Sequence, residues 1–471
     1  MVLCPGSRSG PLALAAAGLK RSGLITLSTA IDERSAGFHA LGRSTASGVA
    51  TAVITTSGTA VANLLPAAVE ADRSSQPLLL ISADRPLRLK NKGANQTVNQ
   101  EAFLTPVCRW CGSGPLDGLN TGLDHELRAL AQNAWRHLHQ QPGPVHLNVP
   151  FEEPLLPDLN QQNAFWNQWN RSEPEAITHT PELWTPASNN AAPALDPDQP
   201  GVIVAGPWRG LSSTLEPYQA ALIAWQQRSG WPVLADPLAA IPNDLSGVIR
   251  YWDLLLPHGL SQMPANAQVL RLGSMPASRR LEAWLESQQG PQLLITEADP
   301  RPLDPLEVAQ QWSGGLSQWW QQLSPQLNAI PAGSCAPTPQ TRSVLESWEN
   351  ADAAVGKRLS VLLPIQGAAN EPALMVALAQ LLPAERPVML AASSPVRDWQ
   401  AFAAGDTGRR RCFSFRGASG IDGTLSLALG LAAELGSTVL ITGDLALLHD
   451  SNGWLLASAA QLALFVLLIN H

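Results

Sequence analysis

An aspartate at the end of an apolar, β-branched run is the residue type that holds a hard cation against phosphate oxygens. Leu435 to Thr442 reads as such a run and delivers Gly443 and Asp444, and a second, Leu462 to Ile469, delivers Asn470 and His471. Mg²⁺ takes oxygen ligands in tight octahedral geometry and shares them with substrate or cofactor phosphates. In open α/β sheets ligands gather outside the carboxyl ends of the strands, so two such ends describe a metal-diphosphate site. The same aspartate also reads as a plain cap on a helix beginning near Leu447. Asp32-Glu33-Arg34 reads as a charged helix start, and Arg416 to Gly423 as a strand-to-helix turn whose glycines allow close backbone approach. Gly417-Ala418-Ser419-Gly420-Ile421 lacks the closing glycine of a serine nucleophile elbow. No Walker A or Gly-x-Gly-x-x-Gly sequence follows a strand, which weakens P-loop and dinucleotide alternatives. Cys108-Arg109-Trp110-Cys111 has redox spacing but no second pair for zinc.

The elements that must position these residues alternate. Ala50 to Thr55 reads as a buried strand, Thr59 to Ala71 as a helix, and Pro77 to Ser82 and Val145 to Val149 as further strands. That rhythm means βαβ units and a parallel sheet. Gly201 to Gly206, Pro232 to Ala235, Val269 to Leu272 and Leu293 to Thr296 mark a second α/β unit. Helices at Thr341 to Leu359 and Glu371 to Leu382, with a strand at Val388 to Ala391, open a third. Pro-, Asn- and Trp-rich sequence separates the first two, and Pro- and Gln-rich sequence the last two. The expected organisation is 1–155, a linker at 156–200, a central domain at 201–325, a linker at 326–340, and 341–471. The chain begins inside its first strand, and the third sheet leaves an edge uncovered. It therefore reads as a fragment of a longer protein that lacks an N-terminal helix and later strands.

At 471 residues, with 45% hydrophobic and 14% charged, the chain is globular and long enough for about three cores. A net charge of −8 argues against nucleic acid, and the one basic run, Arg409-Arg410-Arg411, reads as a solvated loop. Five scattered cysteines suit a reducing compartment. No apolar segment reaches a membrane span and no signal sequence precedes the first strand, so a cytoplasmic protein is expected.

Nine segments appear in the order of one family: Cys4-Pro5-Gly6-Ser7-Arg8-Ser9, Asp32-Glu33-Arg34-Ser35-Ala36, Thr56-Ser57-Gly58-Thr59-Ala60-Val61-Ala62-Asn63-Leu64, Ser82-Ala83-Asp84-Arg85-Pro86, Gly93-Ala94-Asn95-Gln96, Ser394-Pro395-Val396-Arg397-Asp398, Arg416 to Gly423, Gly443-Asp444-Leu445 and His449-Asp450. Together they resemble the 2-succinyl-5-enolpyruvyl-6-hydroxy-3-cyclohexene-1-carboxylate synthase (MenD) family, thiamine-diphosphate transferases of menaquinone and phylloquinone biosynthesis. The resemblance runs over nearly the whole chain and implies three doubly wound parallel-sheet domains: a pyrimidine-binding domain, a central domain and a diphosphate-binding domain.

The resemblance also implies residue roles. Glu33 would hydrogen-bond the cofactor pyrimidine, with Gln96 beside the reacting centre. Thr56, Ser57, Gly58, Ser419, Gly420, Ile421, Gly443 and Asp444 would line the cofactor, Ile421 as a wedge beneath it. Ser7, Arg8, Arg85, Gln96, Arg279, Arg280, Ser393, Arg397 and Arg416 would bind the dicarboxylates 2-oxoglutarate and isochorismate, for which arginine forks are suited. Position 279 is often lysine in such proteins. Asp444 would hold Mg²⁺ or Mn²⁺ with the residue at 471, where asparagine is expected and histidine stands. Imidazole is a poor Mg²⁺ ligand. The carbonyl ligand expected beyond His471 is missing as well, so weak cofactor binding is expected of this chain. Sites in the family lie between the first domain of one subunit and the third of another, so Glu33 and Asp444 would meet only in a homodimer or homotetramer. Two other readings stand beside this one: another thiamine-diphosphate carboligase such as acetolactate synthase, and a catalytically inactive remnant acting as a scaffold.

Overall fold

The computed structural model describes residues 1–169, 192–258, 263–328, 336–364, 367, 370–403, 410–460 and 462–470. They form two compact units, Met1–Trp184 with Phe415–His471, and Thr185–Ser414. The first stretch contains β1 (Val2–Leu3), α1 (Gly10–Arg21), β2 (Ser28–Thr29), α2 (Glu33–Ser47), β3 (Thr51–Thr55), α3 (Thr59–Ala62), α4 (Leu65–Arg73) and β4 (Leu78–Asp84). It continues with α5 (Glu101–Leu104), β5 (Trp110–Ser113), α6 (Asp124–Gln140), β6 (Pro144–Pro150) and α7 (Leu159–Trp169).

The six strands pair in parallel in the order β2-β1-β3-β4-β6-β5. β3 and β6 are buried along their whole lengths, as strands covered on both faces by helices must be. The strand order reverses between β1 and β3, which makes their carboxyl ends a topological switch point, the place where open α/β sheets take ligands. The single helix expected over Thr59 to Ala71 is two, α3 and α4, broken at Asn63 and Leu64. Pro66 is the cause: it has no N–H to donate and its ring clashes with the carbonyl four residues earlier, so it is accommodated only in a new first turn. Residues 159–169, inside the expected linker, are helical as α7, with Trp166 buried.

The second unit holds β7 (Gly201–Ala205), α8 (Ser212–Ser229), β8 (Val233–Ala235), α9 (Trp252–Leu255), β9 (Gln268–Leu272), α10 (Arg279–Ser287), β10 (Gln292–Ile295), β11 (Gln310–Trp312) and α11 (Leu316–Asn328). Its sheet is parallel, in the order β11-β10-β9-β7-β8. One side is filled by indole rings, Trp225 meeting Trp231 and Trp319 edge-on at 5.4 and 4.8 Å. α12 (Pro339–Leu362), α13 (Glu371–Leu381), β12 (Val388–Leu390), α14 (Ser394–Phe402) and β13 (Cys412–Ser414) complete the unit, with β12 and β13 paired in parallel.

The chain then re-enters the first unit with α15 (Thr424–Leu435), β14 (Ser437–Gly443), α16 (Asp444–His449), α17 (Gly453–Ala460) and β15 (Ala463–Ile469). β14 and β15 pair in parallel from Ser437↔Ala463 to Gly443↔Ile469. α15 lies across α2 with backbone against backbone. A Cβ on Gly42 would stand 2.2 Å from the Leu427 carbonyl oxygen, and one on Gly430 would stand 2.1 Å from that of His39, so only glycine fits at either position. Arg43 closes the end of the crossing on Glu434, with Nε 2.6 Å from the carboxylate.

His39 sits in this crossing, 2% exposed, with Nδ1 lacking a hydrogen-bond partner. Burial, and then the Arg43 charge, push its imidazole down to about 4. Its unfolded value is near 6.5, so below that pH the unfolded chain binds the proton that the native one refuses. Stability is therefore full above about pH 6.5 and falls as the pH drops toward 4. Urea unfolding at pH 7 and pH 4.5 should show a loss of about 2–3 kcal/mol from this group. His39→Gln should remove that part of the slope.

Candidate active site

Side chains from four strand ends meet at the switch point. Ser57 follows β3 and is fully buried, and Gly58 beside it has φ +89°. Gln96 lies so close over Gly58 that a Cβ there would come within 2.9 Å of the Gln96 Cγ. Arg85, after β4, donates from Nη1 to the Ser57 hydroxyl at 2.5 Å and to the Gln96 carbonyl at 2.9 Å. Gln96 Nε2 returns a bond to the Ser57 carbonyl at 2.8 Å, with its own backbone held at φ +56°. Arg8, after β1, donates to the Phe151 carbonyl at 3.0 Å and pairs with Glu153 at 3.1 Å, while its Nε is buried without a partner. Burial, and then the Arg8 charge, hold the Arg85 guanidinium below its usual value. Two cations that repel each other, one with an unmet donor, are suited to pairing with a carboxylate. Ser7 is exposed in the loop between β1 and α1.

A buried polar cluster sits beneath. Gln100 is fully buried and accepts from Gly58 N at 3.0 Å. Its Nε2 donates to Asn148 Oδ1 at 2.7 Å, the Ala83 carbonyl at 3.0 Å and Ser82 Oγ at 3.2 Å. Asn148 donates to Asp84 at 2.8 Å and to Glu101 at 3.0 Å, and Lys90 bridges these two carboxylates. Gln100 and Asn148 are absent from the residues singled out above. Their signal was an amide within an otherwise apolar strand, at Asn148.

Glu33 is the first residue of α2, whose cap is Asp32, accepting from Ser35 N at 3.1 Å. The Glu33 carboxylate is half-buried, faces Asn63 Nδ2 at 3.5 Å, and takes part in no ion pair among the described residues. Burial raises the neighbouring Cys4 thiol, and the charges of Glu33 and Asp32 raise it further. The start of α2 is tied to the turn after α16. Asn452 donates to Asp32 at 2.7 Å, and Arg34 donates to the His449 carbonyl at 2.9 Å. Asp450, fully buried, accepts from Ser35 Oγ at 3.3 Å and from Ser426 N and Oγ at 2.6 and 3.0 Å. Within one chain, hydrogen bonds thus join the residues flanking Glu33 to those following α16.

The loop Arg416 to Gly423 is held by a residue that sequence reading passed over. Glu70, from α4 and 4% exposed, accepts from Gly417 N at 2.8 Å, Ala418 N at 2.6 Å and Ser419 N at 3.2 Å. Successive N–H groups converging on one carboxylate form an anion nest, which fixes the backbone of the loop. Ser419 has φ +58°, and Ile421 is left 40% exposed. Glu70 was legible as a lone carboxylate between Ala67 and Ala71 on the buried face of α4.

Asp444 opens α16 itself. Gly443 occupies the cap position, and the helix does not wait for Leu447, so the capping reading is corrected. The Gly443↔Ile469 register sets Asp444 and Asn470 at one carboxyl edge. His471 lies outside the described residues, among which no three His, Cys, Asp or Glu side chains are grouped for a metal. In the second unit Arg279 is exposed at the start of α10, and Arg280 donates to Asp253 Oδ2 at 3.2 Å. Ser393, φ +81°, caps α14, and its Oγ stands 3.5 Å from Arg397 Nη2.

Residues 1–103 match the thiamine pyrophosphate enzyme N-terminal TPP binding domain, and residues 163–390 match the middle domain of thiamine pyrophosphate. A 2-succinyl-5-enolpyruvyl-6-hydroxy-3-cyclohexene-1-carboxylate synthase of Synechococcus sp. (strain CC9311) is 82% identical over 471 residues, covering 100% of this chain and 82% of that protein. The chain belongs to this synthase family. Synthases of the same name are 61% identical in Synechococcus sp. (strain WH7803), over 98% of this chain and 78% of that protein, and 56% identical in Prochlorococcus marinus (strain MIT 9313), over 100% and 82%. The fold is accordingly that of the thiamine-diphosphate enzymes, and the family is one of transferases that use this cofactor. The residues present fit thiamine diphosphate: a carboxylate without a salt-bridge partner at a helix start, and a partly exposed isoleucine in a loop whose backbone is fixed from below.

Glu70→Ala should strip three N–H groups of their acceptor and destabilise the protein by about 2 kcal/mol or more in chemical denaturation. Glu70→Gln keeps one acceptor and should cost less. Hydrogen exchange at Gly417 to Ser419 should accelerate in the same order, and unchanged exchange would refute the anchoring role.

Proposed function

We propose that this chain adds 2-oxoglutarate to isochorismate with loss of CO₂, giving 2-succinyl-5-enolpyruvyl-6-hydroxy-3-cyclohexene-1-carboxylate in menaquinone or phylloquinone biosynthesis. The observation that carries the substrate assignment is the Arg8 and Arg85 pair at the switch point, two guanidiniums held together in a chain of net charge −8. Fixed forks of this kind bind carboxylates bidentately. Thiamine diphosphate, when bound, supplies the nucleophilic carbon and the electron sink for decarboxylation.

The chain's own residues position and shield. Glu33 would hydrogen-bond the cofactor pyrimidine, and its half-buried place at the start of α2 supports that role. Thr56, Ser57 and Gly58 line the first wall, and Gln96, bonded to Ser57, orients substrate beside it. Ser419, Gly420 and Ile421 form the opposite wall, with Ile421 as the apolar wedge. Asp444 would hold Mg²⁺ or Mn²⁺, with Gly443 beside it lining the cofactor, a reading that the edge shared with Asn470 supports. Ser7 and Arg416 belong to the same dicarboxylate site.

The working form is a homodimer or homotetramer. Exposed Leu445, Leu448, Trp454 and Leu455 on α16 and α17 are consistent with a covering partner. Among the described residues no helix is long and apolar enough to cross a membrane, and we place the protein in the cytoplasm.

Product formation from 2-oxoglutarate and isochorismate, with thiamine diphosphate and Mg²⁺, tests the reading. Glu33→Gln should lower kcat by about 10²–10⁴-fold, as loss of a proton-handling group does. Arg85→Ala should raise KM for the dicarboxylates. Efficient turnover of pyruvate in place of 2-oxoglutarate would move the chain to the acetolactate class, and an unaffected Glu33→Gln would remove the proposed role of Glu33.

A further inference from the structure

Gln96 sits on a loop whose own sequence does little to hold its shape. Residues 91–99 are mostly exposed. Asn91, Gly93 and Gln96 have left-handed backbones, with φ +59°, +68° and +56°. L-residues avoid that region, and it persists only where the surrounding structure over-determines it.

Both ends of the loop are fixed in one buried cluster. At the near end the Lys90 side chain is 13% exposed, and its Nζ stands 2.6 Å from Asp84 Oδ2 and also bonds Glu101 Oε1. At the far end the Gln100 amide donates to Asn148 Oδ1 at 2.7 Å. Asn148 joins the two ends, because its Nδ2 donates to Asp84 Oδ2 at 2.8 Å and to Glu101 Oε1 at 3.0 Å, the same two oxygens that Lys90 meets. The other Asp84 oxygen accepts from Arg85 N at 2.7 Å. One fully buried carboxylate thus ties the Lys90 ammonium to the backbone of Arg85.

Among the described residues no other cation pairs with Asp84 or Glu101. Two carboxylates that share one amide repel each other, and a buried carboxylate stripped of its cation is strongly destabilised. Without Lys90 they must separate, and Arg85 follows Asp84. We propose that Lys90 is a positioning residue for the dicarboxylate substrates, its ammonium holding the Arg85 guanidinium and the loop that carries Gln96 in the arrangement that substrate meets. This inference rests on the reading of Arg85 and Gln96 as substrate-binding residues given above. Arg88, on the same loop, provides the contrast. It forks onto Glu152 at 2.8 and 2.7 Å with 59% of its side chain exposed, and a pair so exposed contributes little.

The test is steady-state kinetics of the full chain with thiamine diphosphate, Mg²⁺, isochorismate and varied 2-oxoglutarate. Lys90→Met should raise KM roughly tenfold or more and keep kcat within about threefold of wild type. Arg88→Ala should leave both within about twofold. In an Arg85→Ala background the effect of Lys90→Met on KM should largely vanish, since a residue acting through another is not additive with it. Hydrogen exchange across residues 91–99 of the unliganded chain should be about tenfold faster in Lys90→Met. Lys90→Gln, which keeps a donor for one carboxylate, should lie between, and it carries the test if Lys90→Met does not fold. A fall in kcat alone, or a KM effect undiminished in the Arg85→Ala background, would overturn the positioning role. An unchanged KM in Lys90→Met beside a raised one in Arg85→Ala sinks this inference alone, whereas an unchanged KM in Arg85→Ala removes the substrate reading and this inference with it.

Discussion

The crossing of α2 on α15 is the constraint on which the rest of the first unit depends. Backbone meets backbone at Gly42 and Gly430, with no side chain between. At that separation the helices have one available register, because sliding either would drive a neighbouring side chain into a carbonyl. Glu33 stands at one end of α2, and the loop from Arg416 to Gly423 runs directly into α15. The position of the Glu33 carboxylate relative to the loop is thus set by packing of backbone, which bends less than a side-chain contact would. Asp450 locks the same register from the side by binding Ser35 and Ser426 together.

A second theme is how an acidic protein keeps a cationic site. Arg8 and Arg85 stand close enough to repel, and the acidic groups nearby are mostly committed elsewhere: Asp84 and Glu101 share Lys90, and Glu70 is spent on backbone N–H groups. Among the described residues Glu153 alone pairs directly with Arg8, and it is 61% exposed, so a bound carboxylate can compete with it. The buried cluster under Gly58 has nearly all its donors and acceptors satisfied, which is the condition under which a polar core rigidifies a site. Gln100 is its hinge, because one amide joins the loop after β3 to β4 and β6.

Most strands of both units were legible because continuous β-branched runs bounded by glycine and proline have few other uses. β5 escaped notice, since Trp-Cys-Gly-Ser lacks that signature and is a strand only because β6 offers it an unpaired edge. Thr59 to Ala71 read as one helix because its apolar spacing is unbroken, whereas Pro66 decides the outcome through a missing donor. The arginines and Glu33 were found from ordered motifs. Glu70 and Gln100 were not, because their role is to bind backbone and buried side chains, and the partners of such groups are hundreds or tens of residues away. Asp444 was placed correctly at the strand end, but its neighbour Gly443 took the capping position.

The first unit is discontinuous, built from residues at both ends of the chain with the whole second unit encoded between them. The bonds from Gly417 to Glu70 and from Asn452 to Asp32 therefore each close a circuit of more than three hundred residues. The entropic penalty of such closure grows only logarithmically, so the finished state suffers little. Timing is another matter. At ordinary synthesis rates the ribosome needs roughly 10–50 s to traverse the intervening segment. Throughout that interval the face of α2 that α15 covers awaits a partner not yet made.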